Sequence, residues 1–441
     1  MKPALSLRHI LLYSGASAGL NMMNVTVATW LLYFYSPPAD LGRIQYLPVT
    51  WVGILMMIGS LWNAFIDPLI GYWSDITRSR WGRRRPFLLF AAPVAAIALV
   101  MLWTPPVKAS SPLNASYFLL VTLTFYTAFS LVGIPYDASL PEMAPIPQMR
   151  VTLSMWKNIL GLIGILVGSV TGSLLFSTLG PLAMGWMVAT ASLISIWLTL
   201  GGLSETIRPI EPLVGLRENF GAVLRNQQFL ILFTSTLCMQ VAYAMLLANL
   251  PYFVTLVVGA DAGSVSLFQV VVVALMVGSA PLWAWLGQRH ANRKLLMISL
   301  LGMSLACSLN ATAGLVPGFL VLPYAISTIA FIGPFLGGYF VLAYAMMGSV
   351  VDYDEMFTHC RREAVYYSTF SFTAGVGHSL AVLILPLLLQ HYGYTATNPL
   401  GVRLAFLASS LLILLAALVF TGYWLGDTPA QTRHALGLGD R

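Results

Sequence analysis

Charge is what this chain of 441 residues has least of: Asp, Glu, Lys and Arg together make up 8% of it. An ordinary water-soluble domain carries roughly 25%, so a shell that faces water on every side is excluded. Cysteine is scarce as well. The three present, Cys238, Cys307 and Cys360, lack metal-ligand spacing and imply no disulfide framework. The chain has no phosphate-cradling loop of the G-x-x-x-x-G-K-[ST] kind, which argues against a nucleotide-driven pump. No lysine-rich stripe or aromatic RNA-binding motif is present, so nucleic acid is not expected as a partner. The strand-like alternation of a membrane barrel is missing too.

What is there is apolar. Hydrophobic residues make up 58% of the chain, and the mean hydropathy is +0.81. A bilayer span needs about 20 mostly apolar residues. Twelve such runs can be marked, near 10–35, 48–74, 87–107, 115–140, 152–177, 182–203, 229–257, 264–287, 295–314, 317–349, 365–390 and 401–425. Each is expected to be a helix, because lipid offers nothing to pair with exposed backbone groups. The first run exceeds the roughly 7–15 apolar residues of a signal peptide and reads as a retained span. The expected fold class is therefore an all-α membrane protein with twelve transmembrane helices in two six-helix halves. The longest polar interruption, 205–228, separates the halves 1–204 and 229–425, and 426–441 forms a tail. A weak echo supports two related halves: a basic loop follows span two, and GQRHANRK follows span eight.

The formal charge of +7 matters less than its placement. Arg78, Arg80, Arg83, Arg84, Arg85, Arg150, Arg208, Arg217, Arg225, Arg289, Arg293, Lys294, Arg361 and Arg362 fall on alternate loops, whereas the other loops hold Arg43, Lys108 and Arg403. By the positive-inside rule both termini and the central loop are expected to be cytoplasmic; a bacterial inner membrane is the expected location. Asp67 lies within the second span, directly before Pro68. Acids at membrane depth are costly and mark functional sites by default. Asp137 on span four and Lys157 on span five are opposite charges on adjacent helices and are expected to pair.

The run DPLIGYWSDITRSRWGRRRP resembles the loop between spans two and three of the glycoside–pentoside–hexuronide:cation symporters, the melibiose permease family of the major facilitator superfamily. LLYFYSPP at the end of span one, GIPYDASLPEM at the end of span four, ANLPYFVTLVVG in span seven and DYDEMFTHCRREAVYYSTFSFTAG from span ten into span eleven agree in order and placement. The resemblance also implies kinship with lysolipid-carrying relatives. It implies a secondary transporter, not an enzyme, that moves a polar organic solute by alternating access. A glycoside or uronide is the expected cargo, with protons or sodium as the coupling ion and no cofactor. A monomer in the lipid bilayer is expected.

Carried over residue by residue, the resemblance puts the cation at Asn63 and Asp67. Family members carry two acids there, one helical turn apart, and this chain has one. That shortfall favours protons over sodium. Substrate contacts are implied at Asn21, Gly133 and Lys157; Asp137 is a candidate through its pairing with Lys157, and Trp156 and Tyr136 are candidate cavity liners because aromatic faces stack on sugar rings. Asn21 and Gly133 stand where relatives carry sugar-binding acids, and Gly375 stands where a lysine is common in span eleven. Gating is implied for Asp75, Arg78, Arg84, Arg85, Asp352, Arg361, Arg362 and Glu363, taken as loop residues that cap helix ends and latch one state. Three alternatives differ in class or cargo. A lysolipid or other amphiphile would suit a cavity rich in Phe and Met. A magnesium-dependent prenyltransferase would need closer carboxylates than Asp67 and Asp75, about two turns apart. A non-transporting sensor would have lost coupling at Asn63 and Gly375.

Overall fold

The computed structural model describes residues 6–144, 147–203, 225–358, 363–427 and 431–432. Twelve long helices run through them. They are α1 (Leu7–Tyr35), α2 (Val49–Ile76), α3 (Arg85–Met101), α4 (Pro112–Met143), α5 (Pro147–Thr178), α6 (Pro181–Thr199), α7 (Gln227–Tyr252), α8 (Val265–Gly287), α9 (Asn292–Ala311), α10 (Gly318–Thr358), α11 (Glu363–Tyr392) and α12 (Leu400–Phe420). A π-helical turn, Phe253–Val258, prolongs α7. Local signals explain several starts. Ser111 caps α4 by accepting from the Leu113 amide at 3.2 Å, with Pro112 in the first turn. Pro181 opens α6 directly after Gly180, which takes a left-handed φ of 86°.

Ten of these helices are long and apolar enough to cross a bilayer. The other two are α1 and α3. Helix α3 has 17 residues. Helix α1 carries Ser14, Ser17, Asn21 and Asn24 among its apolar side chains, and it is packed in protein for most of its length, with Tyr13, Trp30, Leu31 and Tyr33 at most 1% exposed. A helix that touches other helices rather than lipid tolerates small polar groups.

The chain divides into two compact units. The first comprises Met1–Glu211, Ala248–Val270 and Tyr394–Thr397. In it α1 packs against α5 and α6, α4 against α2 and α3, and α3 against α6. The α1–α5 approach is close because glycines of α5 face α1. A Cβ on Gly164 would stand 2.2 Å from the Ala18 carbonyl oxygen, and one on Gly168 would stand 2.8 Å from Val25. Gly164→Ala is therefore expected to unfold at a lower temperature, by an overpacking cost of about 1–3 kcal/mol; thermal unfolding of the purified protein checks this. The same unit holds the Tyr252 hydroxyl, which donates to the Ser36 carbonyl at 2.8 Å, and Gln269, which donates to Thr29 at 2.9 Å.

The second unit comprises Pro212–Leu247, Val271–Gly393 and Asn398–Arg441. In it α9 packs on α10 and α12, and its apolar core includes Phe229, Trp283, Met303, Leu336, Tyr366 and Phe420. Cys238 and Cys307 are free thiols.

One motif occurs once in each unit. After α3, Thr104 donates to the Met101 carbonyl at 3.0 Å, and the Tyr117 hydroxyl lies 3.1 Å from Thr104 and 3.0 Å from the same carbonyl. After α9, Thr312, Tyr324 and the Leu309 carbonyl form the same triangle at 2.8, 2.8 and 3.2 Å.

Expectations about the helix ends need correction: Asp75 lies within α2 and Arg85 opens α3, although both are expected in a loop. Asp352 and Glu355 lie within α10, which runs to Thr358 rather than ending near 349. The segment 350–358 extends the helix with Tyr353, which packs on Phe357 and Trp424, and with Asp354, which is 7% exposed. Tertiary packing rather than apolar content holds it helical. Of the central loop, 205–224 lies outside the described residues, as do Arg361, Arg362 and most of the tail.

Candidate functional site

Asp67 and Asn63 are four residues apart on α2 and so share a face. Pro68 follows Asp67 inside the helix and brings no amide for the Ala64 carbonyl, which loosens the ladder there. Both side chains reach Ser130 of α4, a residue that nothing in the sequence singles out. Ser130 Oγ lies 2.6 Å from Asp67 Oδ1 and 2.7 Å from Asn63 Oδ1, and Asn63 Nδ2 points at Asp67 Oδ2 from 3.5 Å. A hydroxyl has one hydrogen and cannot donate along both short contacts. If Asp67 carries a proton, it donates to Ser130, which donates to Asn63, and every oxygen is served. If Asp67 is ionised, Ser130 donates to it and the Asn63 oxygen is left facing the Ser130 oxygen. Turning the Asn63 amide over would also satisfy Ser130, but it would bring an amide oxygen against the second carboxylate oxygen. The cluster thus joins α2 to α4 through one hydroxyl shared by two side-chain oxygens.

Ser130, Gly133 and Asp137 follow one another at three- and four-residue steps on α4, a single stripe about 10 Å long. At Gly133 a Cβ would meet nothing nearer than Leu20 Cδ1, at 4.0 Å. At the far end of the stripe Asp137 accepts from Lys157 Nζ of α5 at 2.6 Å, as the pairing of opposite charges predicts. The Asp137 side chain is 63% exposed and that of Lys157 22%. The Lys157 ammonium also lies 5.3 Å from the centre of the Tyr136 ring, a cation–π contact that holds it in place.

Tyr136 itself does not line open space. It is wholly buried, its ring 4.9 Å from that of Tyr13, and the Tyr13 hydroxyl donates to the Tyr136 carbonyl at 3.1 Å. Its expected contact with a solute is corrected to a supporting one, because the packing of α1 on α4 covers it. Asn21 of α1 is half-buried; it donates to the Ser17 carbonyl at 2.8 Å and abuts Gly161 of α5. Trp156 is half-buried on α5, beside Lys157 in sequence.

The candidate gating residues divide. Arg84 is 3% exposed. It reaches Glu142 Oε1 of α4 at 2.6 Å, Asp75 Oδ1 at 3.1 Å and Ser74 Oγ at 3.3 Å. Arg83 also donates to Glu142. These bonds run among α2, the start of α3 and α4. They staple helices of one unit, whereas the family resemblance implies a latch at Asp75 and Arg84. Arg85 donates to the Leu203 carbonyl beyond α6. Arg78 is exposed and takes no part in the Glu142 cluster. Asp352 is half-buried on α10, and Glu363 opens α11. Glu142 and Ser74 are absent from the expected set. A signal for Glu142 does exist in the sequence, since three successive arginines need acids nearby and Glu142 ends the neighbouring span.

The glucuronide carrier protein homolog of Escherichia coli is 26% identical over 421 residues, covering 90% of this chain and 86% of that protein. The isoprimeverose transporter of Lactiplantibacillus pentosus is 26% identical over 403 residues, covering 88% and 80%. The crystal structure of a nucleoside transporter superposes with a TM-score of 0.69 at 16% identity, covering 95% of this chain and 99% of that one, which shows a shared fold. The family described as MFS/sugar transport protein matches residues 12–426. The match over residues 12–426, nearly the whole chain, places this protein among membrane transporters: it belongs to the MFS/sugar transport proteins and is not an enzyme.

Proposed function

We propose that the chain is a cation-coupled secondary transporter that carries a glycoside or uronide by alternating access, with the proton as the coupling ion. The observation that carries this reading is the α4 stripe: the Asp67–Asn63–Ser130 cluster lies a few residues from the Asp137–Lys157 ion pair, and between them stands Gly133, where an added Cβ would meet only Leu20. An exposed Asp137–Lys157 pair suits hydroxyl and carboxylate groups of a polar solute, because Lys157 can exchange one carboxylate for another. Asn21 and Trp156 complete the contact set. The lack of a second acid beside Asp67 favours a proton over sodium, since a sodium site would be one carboxylate poorer.

The architecture proposed with it is twelve spans in two six-helix halves, 1–204 and 229–425, with both termini cytoplasmic and the transporter a monomer. Support comes from the two Thr–Tyr triangles and from the packing of α3 on α4 and α6, which α9 repeats on α10 and α12.

The test is thermal unfolding of the purified protein against a panel of glycosides, uronides and lysophospholipids, with and without sodium, at two pH values. A ligand that binds only the folded state raises its stability, by about 2.7 kcal/mol at a hundred times its Kd. A glycoside or uronide is expected to give the shift, and Asp137→Asn to remove it. Stabilisation confined to lysophospholipids would replace the sugar by an amphiphile and retire Asp137 and Lys157 as contacts.

A further inference from the structure

A second feature of the first unit, a groove, lies apart from the α4 stripe. About 630 Å³ in volume, it is walled by Trp62 and Trp73 of α2, Phe87 and Phe90 of α3, and Thr124 and Leu131 of α4. Its hydroxyls and the Trp62 indole are already occupied. The Thr124 hydroxyl donates to the Leu120 carbonyl at 2.8 Å, Thr127 to Leu123 at 2.8 Å, Thr77 to Trp73 at 2.7 Å, and the Trp62 indole donates to Thr127 at 2.9 Å. A sugar would find few groups to bond, so the lining suits hydrocarbon. Along α2 the groove runs from Trp62 to Thr77, about 22 Å at 1.5 Å per residue. One leaflet of a bilayer is about 15 Å of hydrocarbon, so the groove can take an acyl chain through a whole leaflet.

The arginine-rich loop closes one end. Thr77 and Pro86, which bound that loop, both line the groove. The Trp81 ring lies 5.4 Å from that of Phe90, and the Arg80 guanidinium sits 4.7 Å from the centre of the Trp81 ring. Arg78 directly follows Thr77, and both Arg78 and Arg80 are exposed. Two cations therefore stand at the mouth of an apolar slot of one leaflet's length, outside the Glu142 cluster that engages Arg83 and Arg84. From this juxtaposition we propose that the α2–α3–α4 groove is a binding site for an anionic glycerophospholipid of the membrane, its acyl chain against Trp62, Trp73 and Phe90 and its phosphate met by Arg78 and Arg80.

The test is native mass spectrometry of the full chain released from detergent containing equal amounts of phosphatidylglycerol and phosphatidylcholine with the same acyl chains. Each cation near an anionic surface adds enough attraction for two to give roughly a thirtyfold preference, so wild-type protein is expected to retain phosphatidylglycerol selectively. The double variant Arg78→Gln, Arg80→Gln is expected to lose the preference while still retaining lipid of both kinds. Thr124→Trp, at an exposed wall position, is expected to lose retention of both, and Thr124→Val, which keeps the groove open, to behave as wild type. Equal retention of the two lipids by wild-type protein, a preference that survives the arginine double variant, or full retention in Thr124→Trp would each overturn the proposal.

Discussion

Asp67→Asn is expected to abolish solute accumulation driven by a proton gradient while leaving the protein folded and able to equilibrate solute across the membrane. The geometry explains both halves of that result. In the wild type, Ser130 Oγ stands 2.6 Å from Asp67 Oδ1 and 2.7 Å from Asn63 Oδ1, and a proton on Asp67 completes the chain of donors. An asparagine amide supplies the same donor to Ser130 permanently. The substituted protein should resemble the protonated state, with no buried acceptor left unserved and no large loss of stability. It can no longer release that proton, however, and a carrier fixed in one protonation state transmits no driving force. One pH unit across the membrane supplies about 1.4 kcal/mol per proton, a tenfold accumulation at one proton per solute. Proteoliposomes with an imposed pH difference, loaded with the solute identified by unfolding shifts, should show that tenfold ratio in the wild type and a ratio near one in Asp67→Asn. Undiminished proton-driven accumulation in the variant would remove Asp67 from coupling. Accumulation driven by sodium alone, lost in the same variant, would keep the cluster and change the ion.

Much of this molecule is legible in its sequence, for physical reasons that differ from feature to feature. Span positions can be read because lipid forces backbone pairing into helices and apolar runs set their lengths. Asp67 stands out because an acid in such a run is expensive. The Asp137–Lys157 pair is legible because opposite charges on adjacent helices have few other ways to be neutralised. Ser130 is not, since a single serine in an apolar helix carries no signal. Its place shows only when α4 is seen to set its hydroxyl between Asp67 and Asn63 of α2. Helix α10 runs past its expected end because water-exposed helix needs packing rather than apolar content. The reach of Tyr353 to Trp424, 71 positions further along, is invisible to a local window. Tyr136 misleads for the opposite reason: its neighbours Asp137 and Lys157 suggest an open position, while the packing of α1 closes over the ring.

Glu142→Ala is expected to be among the most destabilising single changes in the chain. Glu142 Oε1 accepts from both Arg83 and Arg84, and the Arg84 side chain is 4% exposed. Removing the acid leaves a guanidinium buried against Asp75, whose own side chain is 52% exposed. A partner that exposed contributes only about 0–1 kcal/mol, whereas breaking a buried pair from one side costs about 3–5 kcal/mol. The loss should appear as a lower unfolding temperature and reduced recovery of folded protein. Glu142→Gln keeps an acceptor oxygen and should lose less. The decisive comparison is Arg84→Met, which removes the buried charge itself. Combined with Glu142→Ala it should recover much of the stability, because no uncompensated charge then remains in the interior. Recovery in the double variant would identify the cluster as a staple joining α2, α3 and α4. A Glu142→Ala protein that unfolds at the wild-type temperature, but transports at an altered rate, would instead return these residues to the gating role that the arginine-rich loop suggests. The two readings separate because a staple acts on the folded state as a whole, whereas a latch acts only on the balance between its conformations.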